Sequence, residues 1–255
     1  MPISPRSPCR RLPPALAGRR TLLQQLDDRA RQAESKPALN DYGRTQQRAF
    51  SLLTSSKLKD AFNLENEDPR MRDRYGRTLF GASTLIARRM VEQGVRFLNV
   101  SWDGYSSKVP TNADPYWDTH YKNFIQLRRV NLPHVDLTFS ALMEDLNDRG
   151  LLDDTLVVMM SDFGRTPRVN AAAGRDHWTY CYSVLFAGAG IRGGTLCGAS
   201  DAHAAFVKDR PVSTGDICAT IYQCLGIDPE MPVYDRSGRP MPVANGGKAI
   251  GEILG

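Results

Sequence analysis

The stretch Leu156–Trp178, LVVMMSDFGRTPRVNAAAGRDHW, decides how the rest of the chain is read. It opens with an apolar run, Leu156, Val157, Val158, Met159 and Met160, bounded by Thr155 and Ser161. A short run of this kind, polar at both ends, predicts a strand buried on both faces, as in a parallel sheet. Just past its carboxyl end stand Asp162, Gly164, Arg165 and Arg168, followed by Arg175, Asp176, His177 and Trp178. In open α/β sheets the ligand crevice lies beyond the carboxyl ends of the strands. Acids, bases and an imidazole therefore gather where a site is expected, and a metal-centred anion site is the reading they favour.

Working outward, Tyr182–Ala187 (YSVLFA) reads as the next buried strand, and Val95–Val100 (VRFLNV) as an earlier one. Helices are predicted from about Leu16 to Ala33, Thr45 to Leu58, Thr78 to Gln93 and Leu132 to Arg149, with a further one capped by Ser213 and Thr214 and running to Leu225. Gly94, Gly150 and Gly226 stand where three of these should stop. Asn63–Arg74, charged and holding Pro69, reads as a loop. The glycine-dense Gly188–Gly198 reads as a tight turn leading into a short edge hairpin, and the proline-rich segment after Leu225 as irregular surface chain. Helices alternating with buried strands predict an α/β fold with a mainly parallel sheet flanked by helices. The organisation expected is a disordered lead-in over residues 1–16, which hold five prolines, a helical segment over 17–75 packing on the core, and an α/β domain over 76–255.

Composition narrows the function classes. The 255 residues are 41% hydrophobic and 24% charged, ordinary for a soluble globular protein with a sizeable core. No run approaches the roughly 20 apolar residues that a membrane span needs. The formal charge of +5 sits mostly in the first third, and a solvated basic face explains it better than a nucleic-acid surface. The five cysteines (Cys9, Cys181, Cys197, Cys218, Cys224) form no CxxC pair, which argues against a disulfide framework or zinc knuckle. The basic N-terminus has no apolar core of signal-peptide length, so it assigns no compartment. Oligomeric state is not legible.

The chemistry is concentrated in few residues. Of the four histidines, His120 and His177 lie beside carboxylates in loops leaving predicted strands, as Asp118-Thr119-His120 and Asp176-His177; Asp162 ends the strand between them. Carboxylate oxygen with imidazole nitrogen suits zinc, manganese or iron. Such an ion polarises a phosphoryl or sulfuryl oxygen and acidifies water, while Arg165 and Arg175 are placed to clamp the anion. Plainer roles exist for each: Asp162 as a turn cap, and Asp176 as a partner of Arg175 or as a carboxylate orienting His177. Asp103 and His203 are weaker candidates, His134 at a helix start is read as structural, and Trp117 and Trp178 as packing walls.

Several long motifs carry a resemblance: WDTHYKNF, ALMEDLNDRGLLDDTLVVMMSDFGRTPRVN, AGRDHW, LFAGAGIRGG and PVSTGDICATIYQCLGIDP. In that order they resemble the bacterial family known as domain of unknown function 1501, itself similar to the alkaline phosphatase and sulfatase superfamily. The resemblance implies an alkaline phosphatase-like α/β fold with Asp and His ligands for divalent metal (zinc, manganese or calcium). By motif, Asp118 and His120 resemble the ligands before the central strand, Asp162 the aspartate of the superfamily's Ser-Asp-His-Gly turn, and His177 the later histidine. Here that turn reads Ser161-Asp162-Phe163-Gly164; phenylalanine binds no metal, so the resemblance carries one ion rather than two. It further implies that the chain corresponds to a C-terminal part, without the half that bears the nucleophile, and that fuller members are often exported. The function expected is a divalent-metal-dependent hydrolase of phosphate or sulfate esters acting on a small anionic substrate. The alternative is a degenerate, non-catalytic member serving as a binding or structural module.

Overall fold

The structure, a computed structural model, describes residues 43, 46–47, 56–102 and 117–255. The expected lead-in over 1–16, the helix over 16–33, most of the helix over 45–58, and Asp103 lie outside the described residues. The chain divides into two compact units, Met1–Asp60 and Ala61–Gly255. In the first, the described residues 43, 46–47 and 56–60 are helical. The last of these open helix α1 (Ser56–Phe62).

The second unit is built on a cluster of three helices, α2 (Pro69–Tyr75), α3 (Leu79–Glu92) and α5 (Leu132–Asp148). Helix α2 falls inside the segment read above as a loop. Its start explains the misreading: Asp68 caps it by accepting from Arg70 N at 2.8 Å, and Pro69 fills the first turn, where a missing N–H costs nothing. A proline after an aspartate is here a start signal rather than a breaker. Helix α3 matches expectation, with Thr78 as cap accepting from Gly81 N at 3.0 Å and Gly94 just beyond its end at φ +81°. Helix α5 begins at Leu132, as expected, but continues an earlier helical run. A short helix α4 (Asn123–Gln126) runs into it through the π-turn Leu127–Asn131. Pro133 cannot donate to the preceding turn, and a wider turn just before it accommodates the ring without ending the helix.

Tyr75, Leu85 and Ala141 are buried where the three helices meet, with Leu64, Met71 and Leu142 packed against them. Beside this apolar centre runs a charged one. The Arg88 guanidinium, 2% exposed as a residue, reaches Glu67 at 2.7 Å, Glu92 at 2.8 Å and Asp145 at 2.7 Å. Tyr75 donates its hydroxyl to Asp145 Oδ2 at 2.9 Å, and Arg149 closes the network onto Asp145 and Glu92. Burial and the neighbouring Asp145 carboxylate push the Tyr75 phenol far above its usual range.

The mainly parallel sheet expected of this chain, and with it the alkaline phosphatase-like architecture, is not what forms. The described strands make four separate two-stranded sheets, each antiparallel. The central apolar run does give a strand, β1 (Val157–Met159), and the YSVLFA run gives β4 (Leu185–Ala187). The two pair head to tail, with Val157 opposite Ala187 and Met159 opposite Leu185. Parallel pairing needs a crossover, usually a helix, to return the chain to the starting edge. Residues 160–184 hold instead the tiny hairpin β2 (Gly164–Arg165) and β3 (His177–Trp178), so the chain returns antiparallel. Nor is the run enclosed on both faces, since Met159 and Met160 are exposed. Val95–Val100 forms no strand; no described strand pairs with it, and Phe97 is 76% exposed.

Beyond Gly188 a hairpin does follow the glycine-dense turn, as β5 (Ala199–Ser200) and β6 (Val207–Asp209). Helix α6 (Thr214–Cys224) carries a full capping box between Ser213 and Asp216 and ends before Gly226 at φ +71°. The tail forms one more exposed hairpin, β7 (Pro232–Tyr234) with β8 (Pro240–Pro242), where irregular chain was expected. Cys181, Cys197, Cys218 and Cys224 are free thiols. No described helix is long and apolar enough to cross a membrane.

Candidate metal centre

Two segments build the site. One is the β2–β3 hairpin, whose register sets Arg165 opposite His177. The other is the turn Trp117–Asn123 leading into α4. Backbone hydrogen bonds zip them together: Arg175 N donates to Thr119 O at 3.1 Å, Lys122 N to Ala172 O at 3.1 Å, and Asn123 N to Ala173 O at 3.0 Å. The approach is closest at Gly174, where a Cβ would stand 1.9 Å from the His120 carbonyl oxygen. Only glycine leaves room for that contact.

Asn170 fastens the loop. Its amide Nδ2 donates to His120 O at 3.0 Å and to Asp176 Oδ1 at 3.2 Å, while its Oδ1 accepts from Ala172 N and Gly174 N. The side chain uses both ends at once, holding the hairpin tip in shape and tying it to the His120 turn. The sequence reading passed over Asn170. Its one signal was an Asx residue ahead of the small-residue run that ends at Gly174, a setting in which such side chains commonly bond the following backbone.

Three donor atoms converge. Asp118 Oδ1 lies 2.8 Å from His177 Nε2 and 3.0 Å from His120 Nε2, and the two Nε2 atoms are 3.1 Å apart. Among the described residues, Asp118, His120 and His177 form the group that could hold a metal ion. The other ring nitrogen of His120, Nδ1, lies 2.7 Å from Asp176 Oδ1. Asp176, expected to orient His177, thus pairs with His120 instead. The hydrogen bond with His177, and after it that from Arg165, hold the Asp118 carboxyl down at about 2. The hydrogen bond with His120 likewise lowers Asp176. Both acids are therefore carboxylates at neutral pH.

Facing a carboxylate, His120 Nδ1 carries its hydrogen, which assigns the tautomer from the partner. In the neutral ring Nε2 is then a lone pair, aimed at Asp118 Oδ1 and at His177 Nε2. With His177 Nε2 donating to Asp118 Oδ1 that proton satisfies the contact; a divalent cation replacing it would meet three donor atoms at once. For donors roughly 2.0–2.1 Å from an ion, octahedral geometry gives edges of about 2.8–3.0 Å and tetrahedral geometry about 3.3–3.4 Å. The observed edges of 2.8, 3.0 and 3.1 Å lie near the octahedral values, so the residues fit a metal.

The remaining predicted residues are placed as follows. Asp162 is exposed, stands outside the triangle, and makes no hydrogen bond or ion pair with a described residue. Phe163 packs its ring 4.2 Å from that of His177. Arg165 is not a free anion clamp: Nη2 donates to Asp118 Oδ1 at 2.9 Å and to Trp117 O at 2.8 Å, and Nη1 to Arg175 O at 3.2 Å. Arg175 donates to Thr166 O at 3.1 Å and lies 5.4 Å above the Phe124 ring. Both arginines brace the scaffold. Trp117 meets Trp102 edge-on, and Trp178 donates to Ala205 O and packs with Tyr180 and Phe206, so both are walls. His134 stacks on Trp102. His203 lies in the turn between β5 and β6, where its backbone N–H donates to Asp201.

The chain belongs to the family described as protein of unknown function (DUF1501), whose model matches residues 10–254. No curated protein and no solved structure matches it.

Proposed function

We propose, with that family membership as premise, that the chain holds one divalent metal on Asp118, His120 and His177 and is a hydrolase of phosphate or sulfate esters. The observation that supports the metal is the convergence of Asp118 Oδ1, His120 Nε2 and His177 Nε2 within about 3 Å of one another, with Asp176 behind His120. A carboxylate behind a ligating imidazole fixes its tautomer and makes it a better donor. Two imidazoles among three donors favour zinc, manganese or iron over calcium, which prefers oxygen. Such an ion, when bound, polarises an ester oxygen and lowers the proton affinity of water.

The chain's own residues supply the frame. Asp118 brings the negative charge, Arg165 fixes that carboxylate by direct hydrogen bond, and Asn170 and Asp176 fix His120. Both imidazoles and the Asp118 carboxylate are between two-fifths and three-fifths exposed, so a ligand can approach the centre from solvent. The ester specificity rests on motif likeness to the alkaline phosphatase and sulfatase superfamily; the fold lends it no support. Purified protein loaded with zinc or manganese should hydrolyse an aryl phosphate or an aryl sulfate, and His177→Ala should not. Metal binding without turnover on either ester would remove the hydrolase reading and leave the centre.

One observation favours a second reading, that of a metal-holding module without catalysis. The Phe163 ring covers one side of His177, at the position where the superfamily turn carries a further histidine. Turnover assays on the two esters separate the readings.

A further inference from the structure

The two arginines that the sequence offers for an anion are both committed. Arg165 spends its guanidinium on Asp118 and two carbonyls, and Arg175 lies over Phe124 and bonds Thr166 O. The same hairpin carries a third, Arg168. Its backbone carbonyl is anchored by the Thr166 hydroxyl at 2.8 Å, while its side chain is exposed and bonds no described residue. Arg168 lines an open cleft of about 420 Å³ with Thr166, Val169, Asn170, Ala171 and Asp176. The size falls within the range of small-ligand sites, roughly 300–1,000 Å³.

The cleft adjoins the candidate centre through its own walls. Asp176 bonds His120 Nδ1, and Asn170 bonds both Asp176 and the His120 carbonyl. Among the described residues lining the cleft the only carboxylate is Asp176, whose charge is already engaged by His120 and Asn170, and the only cation is Arg168. A planar guanidinium with several free N–H groups matches a tetrahedral oxyanion in two-point contact.

We propose that Arg168 is the specificity residue of this site, binding a tetrahedral oxyanion of the ligand, phosphate or sulfate, in the cleft beside Asp176. The inference deepens the metal-dependent ester reading and rests on it for the identity of the ligand. Guanidinium recognition in the cleft does not itself need the ion, which makes the two separable.

The test is titration of inorganic phosphate, and separately of sulfate, into zinc-loaded and metal-free protein by calorimetry. It uses wild type, Arg168→Gln, Arg168→Lys, and Arg236→Gln as a control for lost surface charge at the β7–β8 turn. The expected result is about tenfold or greater weakening in Arg168→Gln, a smaller loss in Arg168→Lys, no change in Arg236→Gln, and unaltered zinc content in all four. The stronger of the two anions in wild type identifies the ester class. Equal binding by wild type and Arg168→Gln, equal weakening by the control, or no anion binding by wild type in either state overturns the inference. Loss of anion binding in Arg168→Gln together with no zinc in wild type sustains Arg168 and rejects the metal reading instead.

Discussion

His120 and His177, separated by 56 intervening residues, present their Nε2 atoms to each other at 3.1 Å across a shared contact with Asp118 Oδ1. Two imidazoles converging on one carboxylate oxygen are the arrangement that ligands of a common ion take. Each prediction below tests that relationship or the frame that produces it.

Asn170→Ala removes two donations and two acceptances that hold Asp176 and the His120 carbonyl in place. Metal affinity should fall about 10–100-fold, the range seen when an outer partner of a metal-bound histidine is lost. Competition against a chromophoric chelator measures it. Unchanged affinity would show that His120 needs no such support.

Gly174→Ala places a methyl group against the His120 carbonyl, at 1.9 Å before relaxation. The hairpin and the His120 turn must separate, so metal affinity should drop at least as far as in Asn170→Ala. The helical cluster packs through other residues, Tyr75, Leu85 and Ala141, and the far-ultraviolet circular dichroism should stay at the wild-type value. Full metal affinity would show that the two segments can part without cost.

Arg88→Met leaves Asp145 and Glu67 with lost partners among the helices. Stripping one side of a buried ion pair costs about 3–5 kcal/mol. Urea denaturation should show a midpoint displaced by that loss at constant slope, while metal affinity of the folded fraction is unaltered. A shift below about 1 kcal/mol would mean the network is solvated in solution.

Asp216 accepts from Ser213 N, from the Ser213 hydroxyl and from Lys248 N. The Lys248 backbone hydrogen bond, foremost, and those from Ser213 lower its pKa in the folded protein. A lowered folded value means stability that is complete above the unfolded value of about 3.9 and is lost as pH falls through the folded value. Asp216→Asn should therefore cost about 1 kcal/mol at pH 7, as capping losses do. Its deficit should vanish as pH falls through the lowered folded value, below that of a free aspartate. Parallel stability curves for the two proteins from pH 7 to pH 2 would contradict this.

What could be read beforehand, and what could not, divides along a physical line. Local signals were legible: Ser213 as a cap, Gly94 and Gly226 as stops, and apolar spacing placed helices α3, α5 and α6 within a few residues. The approach of Asp118 and His120 to Asp176 and His177 was legible too, because motifs flanking loops constrain which side chains meet. Strand direction was not. The run from Leu156 to Met160 says that a strand exists but not which way its partner runs; that depends on whether the connection contains a crossover helix, and it holds a hairpin instead. Helix α2 was hidden because Asp68-Pro69 reads equally as a turn or as a helix start. Arg165 and Arg175 looked like anion clamps because sequence shows a charge but not the carbonyls that occupy it.

The most direct measurement is metal content by mass spectrometry after saturation with zinc or manganese and removal of excess, for wild type and His177→Ala side by side. The account predicts about one ion per chain in wild type and a small fraction of that in the variant. No retained metal in wild type, or equal metal in the two proteins, would contradict it.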